Sequence, residues 1–246
     1  YPDLLGKFGD GIWVGMFAPI QSQVETLYAR TVSRLTSERA MELFGDPEID
    51  DMPGKNPGVT KNIKLKKSGS TLMMMTANPR AKIESKSFHL IIIDECQEAD
   101  DFVVSKSISP MLAYYAGTMV KTGTPTTSKN NFYRSIQLNK RRQTGRGSRQ
   151  NHYQWDWRDV AKFNANYEKF IRKEKLRIGE DSDEFQMSYN CKWMLERGMF
   201  VTSTTMDKLG DTSMEIVRAW QRTPVIVGID PARKIDSTVV TVVWVD

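Results

Sequence analysis

The chain has 246 residues, of which 39% are hydrophobic and 26% charged, an ordinary composition for a soluble globular protein with one or two domains. Its formal net charge of +5 permits a polyanionic partner without requiring one. The chain has only two cysteines, far apart in the sequence, and only two histidines, so we expect neither a disulfide framework nor a Cys/His zinc site. Neither a membrane span nor a signal peptide is recognisable, so we expect an intracellular protein in a reducing compartment.

The N-terminal part of the chain alternates strand and helix signals. The apolar run Gly11–Pro19, GIWVGMFAP, ends in a proline and predicts a buried strand. Apolar residues three and four positions apart then predict a helix over Gln21–Ala40. The prolines and glycines of Asp46–Gly58 predict a loop, and a hairpin follows that ends in the strand Leu72–Met75. We interpret the methionines of that strand as core residues rather than as metal ligands.

Two acidic residues follow the most apolar short run of the chain, in the stretch FHLIIIDECQEAD. Leu90–Ile93 is too short for a buried helix and rich in β-branched residues, which predicts a strand covered on both faces, as in parallel α/β sheets. Asp94 and Glu95 come directly after it. Ligands bind at the carboxyl edge of such sheets, and a carboxylate pair there commonly holds Mg²⁺ and positions a water on a nucleotide phosphate.

The middle of the chain continues the alternation. We predict a helix over Asp101–Ala116, a strand over Thr118–Lys121 and a turn rich in hydroxyl groups over Thr122–Thr127. Further on, the aromatic alternation of HYQWDW predicts a strand, and Trp157–Lys175 is predicted to be helical. A second helix is expected over Glu180–Arg197.

A basic run, NKRRQTGRGSRQ, lies between the hydroxyl-rich turn and HYQWDW and is expected to form a loop. Two interpretations stay open, because a run of charges is commonly only solvated, whereas cations beside glycines also suit contact with DNA phosphates. The cations concerned are Lys140, Arg141, Arg142, Arg146 and Arg149.

The last part of the chain contains two apolar runs joined by a short polar segment. TPVIVGIDPARKIDSTVVTVVWVD predicts two strands, Val225–Ile229 and Ser237–Val245, joined by a turn over Asp230–Asp236. Asp230 thus closes an apolar strand, as Asp94 does. No internal repeat or low-complexity tract is present in the sequence.

Taken in order, these motifs resemble those of the large subunit of tailed-bacteriophage terminases, the motor that pumps viral DNA into a capsid. VGMFAPIQSQVETLYARTVSRL is similar to the segment after the family's phosphate-binding loop helix, LIIIDECQ to its Walker B strand, and TGTPT to its coupling motif. The resemblance covers essentially the whole chain. It implies an α/β fold with a mainly parallel sheet flanked by helices, the P-loop NTPase of the additional-strand type, followed by the first strands of an RNase H-like nuclease domain.

The resemblance implies roles in ATP hydrolysis for five residues. Asp94 would hold Mg²⁺ through its water shell, and Glu95 would orient or deprotonate the attacking water. Gln97 would sense the γ-phosphate or only cap the next helix. Thr122 and Thr124 would relay loss of that phosphate, although hydroxyl groups that stabilise a turn are the simpler account.

One motif of the family is absent from the sequence. No G-x-x-x-x-G-K-[ST] loop occurs in the 246 residues, although a motor of this kind needs its amides and lysine to hold the phosphates. We therefore expect the N-terminal part, with that loop, to be missing from this chain, and the chain alone to be inactive. Arg80 lies roughly where the family keeps an arginine that acts on a neighbouring subunit's phosphate, but it also fits an ordinary solvated arginine.

For the nuclease, the resemblance implies a site of carboxylates around two Mg²⁺ or Mn²⁺ ions. Asp230 would be its first carboxylate and Asp236 a helper, or Asp230 merely ends a strand. The expected domains are an ATPase domain over residues 1–222, with 151–222 as a lid or linker, and the beginning of the nuclease domain over 223–246.

The implied partners are double-stranded DNA, a portal protein, the small terminase subunit and further copies in a ring, in the host cell cytoplasm and away from any membrane. Two alternatives stay open. A superfamily 2 helicase or DNA translocase would share the Asp-Glu pair and a hydroxyl-rich turn, and a DNA-binding or assembly module would keep the scaffold without catalysis.

Overall fold

The computed structural model describes residues 9, 11–50, 60–78, 86–144, 149–195, 208, 225–230 and 239–244, with the backbone alone at 50, 225, 230, 239 and 241–244. The chain divides into two compact units, Tyr1–Gly198 and Met199–Asp246. The boundary at residue 222 and the lid or linker over 151–222 stay predictions.

The helices and strands, numbered in chain order, begin with a strand and alternate thereafter. They are β1 (Trp13–Ala18), α1 (Gln21–Leu35), α2 (Glu38–Phe44), β2 (Pro47–Asp50), β3 (Thr60–Leu65), β4 (Ser70–Thr76), β5 (Leu90–Ile93), α3 (Asp101–Val103), β6 (Thr118–Lys121), α4 (Asn131–Arg142), α5 (Trp157–Ala161), α6 (Ala165–Ile178), α7 (Asp183–Ser188), β7 (Val225–Asp230) and β8 (Val239–Trp244).

Six strands of the first unit form one sheet in the order β2-β3-β4-β1-β5-β6. The strands β4, β1, β5 and β6 run parallel to one another, whereas β2 and β3 add an antiparallel edge. A mixed, mainly parallel sheet flanked by helices confirms the predicted fold class. The structure also confirms the strands predicted at Gly11–Pro19, Leu90–Ile93 and Thr118–Lys121, and the hairpin formed by β3 and β4.

Both faces of the central strands are covered, which explains their apolar sequences. On one face, Phe17, Met75 and Ile93 pack against Val104 and other residues that follow α3. On the other face, α1 contributes Val24 to a second cluster, which contains Met74 of β4. The methionines of β4 therefore lie in the core, as predicted, and alternate between its two sides.

Two N-terminal predictions need correction. The helix predicted over Gln21–Ala40 ends at Leu35 and resumes as α2, because the Thr36 and Ser37 hydroxyls bond to carbonyls of the last turn and interrupt it. The loop predicted over Asp46–Gly58 begins as β2, which pairs with β3. A proline is tolerated there because β2 is the edge of the sheet and Pro47 is its first residue. Residues 51–59 lie outside the described part.

The continuous helix predicted over Asp101–Ala116 is also wrong. Only α3 is α-helical, and it passes into a π-helical segment over Val104–Ile108 and a 3₁₀ segment over Ser109–Leu112. Pro110 lacks an N–H, so it cannot continue an α-helical ladder, and the chain tightens around it.

The helix α4 was not predicted. It places Lys140, Arg141 and Arg142 in its last turn, so the basic run begins on a helix and not in a loop. Of its 12 residues, Phe132 and Ile136 are buried, which is too sparse an apolar stripe for the sequence to reveal.

The strand predicted for HYQWDW is wrong, because residues 149–156 have no regular secondary structure. The aromatic alternation instead reflects Tyr153 and Trp155, whose exposed rings stack 5.8 Å apart. The long helix after it is divided into α5 and α6 by a turn in which Asn164 caps α6. The helix predicted over Glu180–Arg197 is reduced to the six residues of α7, which Ser182 caps.

In the second unit, β7 and β8 form the predicted antiparallel pair. The turn between them lies outside the described residues. Within the described part of the chain, none of the helices combines the length and apolar character needed to cross a membrane.

Candidate active site

The parallel strands end at a common edge of the sheet, where backbone hydrogen bonds extend beyond the strands themselves. The Asp94 N–H donates to the Phe17 carbonyl at 2.8 Å, which ties the first acid to β1. On its other side, the Thr122 N–H donates to the Ile93 carbonyl and the Cys96 N–H to the Thr122 carbonyl, both at 2.9 Å. The segments after β5 and β6 are therefore held side by side.

Side chains from these two segments meet directly. The Thr122 hydroxyl donates a hydrogen bond of 2.7 Å to the Asp94 carboxylate, and the two residues are 28 positions apart in the sequence. Asp94 is half-buried, whereas Thr122 is exposed. One oxygen of the Asp94 carboxylate is thus held by a neutral donor.

The second acid is held by Gln97. Glu95 has a left-handed backbone conformation with φ of 49°, which turns the chain back on itself. As a result the Gln97 Nε2 donates to Glu95 Oε2 at 2.5 Å. The Gln97 Oε1 in turn accepts from the backbone N–H of Thr124 at 3.2 Å. The structure therefore brings together five of the six residues predicted for nucleotide hydrolysis, and their roles stay predictions; the sixth, Arg80, lies outside the described residues.

Sequence reasoning missed other residues that build this edge. The Asn130 side chain caps α4 by accepting from the Tyr133 N–H and donates to the Gln97 carbonyl at 2.9 Å. Asp101 accepts from the Asn131 N–H at 2.7 Å and pairs with Arg134 at 2.6 Å. An asparagine directly before a helix is a recognised cap signal, so of these residues Asn130 is the one whose role the sequence could have indicated.

Two ionisable groups beneath the edge are altered by burial. Burial lowers the pKa of Lys121, whose ammonium donates to Asn131 and, at 2.7 Å, to Ser135 of α4. Burial also raises the pKa of the Cys96 thiol to about 11, so this cysteine is protonated at neutral pH and inert as a nucleophile. Through its two hydrogen bonds to Asn131 and Ser135, Lys121 connects the end of β6 to α4.

The oxygen donors at this edge suit a magnesium ion. Among the described residues, no group of three or more His, Cys, Asp or Glu side chains is placed to hold a metal. Mg²⁺ does not require such a cage, because it usually keeps several waters and binds one or two carboxylates together with substrate phosphates. Asp94, with Thr122 beside it, offers that kind of partial site.

A groove of about 910 Å³ opens beside these residues, along the edge of β6 that has no partner in the described sheet. Thr122, Gly123 and Pro125 line the end of the groove at the candidate site. Phe132 and Ile136 of α4 line it further along. The groove lies beside the candidate site and not at it, because Asp94, Glu95 and Gln97 are not among the residues that line it.

The remaining predicted residues lie apart from the site or outside the part of the chain that the structure describes. Lys140, Arg141 and Arg142 are at the far end of α4, and Arg149 follows at the surface. Asp230 is the last residue of β7, and its backbone alone is described. Arg80, Arg146 and Asp236 fall outside the described residues.

No protein-family model matches the chain, and no curated protein sequence matches it. Solved structures do resemble it. The large terminase ATPase domain of Thermus phage P74-26 superposes with a TM-score of 0.51 at 19% sequence identity, over 78% of this chain and 80% of that one.

The large terminase of another phage, a thermophilic bacteriophage, has a TM-score of 0.51 at 12% identity, over 74% of this chain and 41% of its own. The complex of that second terminase with ADP gives a TM-score of 0.52 at 12% identity, over 96% of this chain and 53% of that one. At such identities the likeness is one of fold: the sheet and its flanking helices are arranged as in these large terminases.

Proposed function

We propose that this chain is the ATP-hydrolysing part of a phage DNA-packaging motor. The observation that carries the proposal is the contact between Asp94 and Thr122, with Glu95 beside them, at the carboxyl edge of a parallel sheet. Ligands bind at this edge in open α/β sheets. The likeness of fold to a terminase ATPase domain and to a large terminase solved with ADP supports the same conclusion.

In the proposed reaction, this chain's residues hold a water against the terminal phosphate of ATP. Asp94 would hold Mg²⁺ through a shell of waters, and the ion would neutralise charge on the phosphate oxygens. Glu95 accepts the proton of the attacking water as its oxygen bonds to the γ-phosphorus. The bond from that phosphorus to the bridging oxygen breaks, which leaves ADP and inorganic phosphate.

The proposed polymer is double-stranded DNA, contacted through the cations Lys140, Arg141, Arg142, Arg146 and Arg149. The first three lie together in the last turn of α4, and that arrangement supports a local patch of positive charge. Such contacts bind phosphates and carry no sequence preference. An assembled motor would add a portal protein, a small subunit and a ring of copies of this chain, with Arg80 reaching a neighbour's phosphate.

A second activity, cutting of concatemeric DNA, is proposed for the domain that begins with β7 and β8. Asp230, at the carboxyl end of β7, and Asp236 would contribute carboxylates to a site with Mg²⁺ or Mn²⁺.

The test is the substitution Glu95→Gln in the full-length protein. We expect ATP turnover to fall at least a hundredfold, since a general base contributes roughly 10²- to 10⁴-fold, while nucleotide affinity changes little. The matched control is Glu98→Gln, the same change at an exposed acid three residues away, which should leave turnover as it is. Phosphate release and an ADP binding isotherm measure the two quantities.

Turnover by Glu95→Gln at the unsubstituted rate would remove Glu95 from catalysis and contradict the proposal. A full-length protein that binds DNA but neither binds nor hydrolyses ATP would favour the assembly module instead. ATP-driven strand separation of duplex DNA would favour the helicase.

A further inference from the structure

Gln97 occupies the centre of the site, between the proposed catalytic acid and the segment after β6. Its Nε2 donates to Glu95 Oε2 at 2.5 Å, and its Oε1 accepts from the Thr124 N–H at 3.2 Å. Its backbone carbonyl accepts from the Asn130 side chain at 2.9 Å. Three hydrogen bonds thus attach one glutamine to the acid, to the turn after β6 and to the start of α4.

The turn approaches Gln97 so closely that a side chain does not fit between them. A Cβ atom on Gly123 would lie 2.0 Å from Gln97 Oε1 and 3.3 Å from the Cys96 backbone nitrogen. Any larger residue would displace the amide, because the end of a glutamine moves more readily than the backbone. The glycine between Thr122 and Thr124 is therefore explained by the position of Gln97.

The backbone of Glu95 makes this contact possible at a cost. A left-handed conformation is unfavourable for a residue with a Cβ atom. It directs the Glu95 side chain towards a residue only two positions further along. Without a partner at that place, the carboxylate would be free to adopt several rotamers, and a base that orients water must have one.

We propose that Gln97 is a positioning residue, which holds Oε2 of Glu95 and leaves Oε1 free to accept the proton of the attacking water. This inference rests on the proposed function. Because the Thr124 N–H holds the other end of the same amide, a shift of the turn alters the position of the carboxylate. An amide suits this task, since it donates to the carboxylate without titrating.

Gln97→Glu tests the idea most sharply, because it keeps the size of the side chain and its acceptor for Thr124. The new carboxylate would lie about as close to Glu95 as the amide does, and two carboxylates that share a site do not both ionise readily. We expect the acid limb of the kcat–pH profile to move upward by about one pH unit or more. The matched control is Gln137→Glu, the same change on α4 away from the site.

Two further variants remove the contact from either side. Gln97→Ala is expected to lower kcat by about 10- to 100-fold, the size of effect that follows from a misplaced catalytic group, with the dissociation constant for ADP altered less than about threefold. Gly123→Ala should lower kcat at least as much, because its methyl group displaces the amide and because the φ of +159° is strained for a residue with a Cβ atom. The double variant should then be little worse than Gly123→Ala alone, since the contact with Gln97 is already broken in that variant.

The measurements are phosphate release across pH and an ADP binding isotherm in the full-length protein, with circular dichroism to verify folding. If Gln97→Glu and Gln97→Ala leave the kcat–pH profile unchanged while Glu95→Gln abolishes turnover, the inference is overturned and the proposed function stands. Loss of ADP affinity in parallel with kcat would also overturn it, because Gln97 would then act in binding. Should Glu95→Gln turn over normally, both fail.

Discussion

The hydrogen bond between Asn130 and Gln97 is open to a direct test, because Asn130 makes two bonds that a single substitution separates. Its side-chain oxygen accepts from the Tyr133 N–H at 3.0 Å and caps α4, while its amide nitrogen donates to the Gln97 carbonyl at 2.9 Å. Asn130→Asp keeps the cap, since aspartate and asparagine cap helices about equally well. It removes the donor and places a carboxylate oxygen against the carbonyl.

The expected cost follows from these contacts. Leaving the partly buried Gln97 carbonyl without its partner costs about 1–3 kcal/mol. The new negative charge at the N-terminus of a 12-residue helix stabilises the folded state by about 0.3–1 kcal/mol through the helix dipole, which offsets part of this cost. We therefore expect the free energy of unfolding to fall by about 1–2 kcal/mol. With a urea slope of about 2 kcal/mol/M, the midpoint should move down by roughly 0.5–1 M.

Asn164→Asp is the matched control. Asn164 caps α6 through the same kind of oxygen contacts, to the N–H groups of Asn166 and Tyr167, and among the described residues its amide nitrogen has no hydrogen bond. Its substitution should leave the urea midpoint unchanged or raise it slightly through the helix dipole. The urea midpoints are measured by far-UV circular dichroism. Equal shifts of the midpoint in the two variants would refute the assigned role of the Asn130 amide.

Two further predictions concern hydrolysis and DNA. The 246-residue chain alone should hydrolyse ATP no faster than background, because it has no G-x-x-x-x-G-K-[ST] loop to position the phosphates; steady phosphate release that Asp94→Ala abolishes would contradict this. Neutralising Arg141, Arg142 and Arg146 together in the full-length protein should weaken DNA binding evenly across sequences and reduce its salt slope by about one unit per lost phosphate contact. The matched control neutralises three exposed cations of α6: Lys169, Arg172 and Lys173. Equal weakening in both triple variants would mean that net charge alone, and not this patch, attracts DNA.

Much of the site could be predicted because its signals are local. Leu90–Ile93 is apolar enough to identify a buried strand, and the carboxyl edge of a parallel sheet then follows for Asp94 and Glu95. The turn after β6 was recognisable from its hydroxyl groups. That Thr122 would contact Asp94 depends on β5 and β6 being neighbours, which the register of the sheet shows and the sequence alone does not.

What could not be predicted depends on contacts between distant segments. The left-handed backbone of Glu95 has no signal in the sequence, so the bond from Gln97 could not be distinguished from a cap on the next helix. Aromatic alternation at Tyr153 and Trp155 imitated a strand, because two rings that stack on each other have the same spacing as two that face a core.

The helix α4 connects the proposed site of ATP hydrolysis with the cations proposed to contact DNA. Its first residues are fixed to the site, through Asn130 to the Gln97 carbonyl and through Arg134 to Asp101. Its last turn carries three cations. A helix of 12 residues is about 18 Å long and stiff. A displacement of the site that moves the start of α4 therefore also moves the cations at its end.

Cations at a helix C-terminus are favourable through the dipole even without DNA, so their placement alone does not demonstrate a DNA contact. The salt slope separates the two explanations, because stabilisation of α4 by its own cations leaves no trace in the number of counterions that DNA releases on binding.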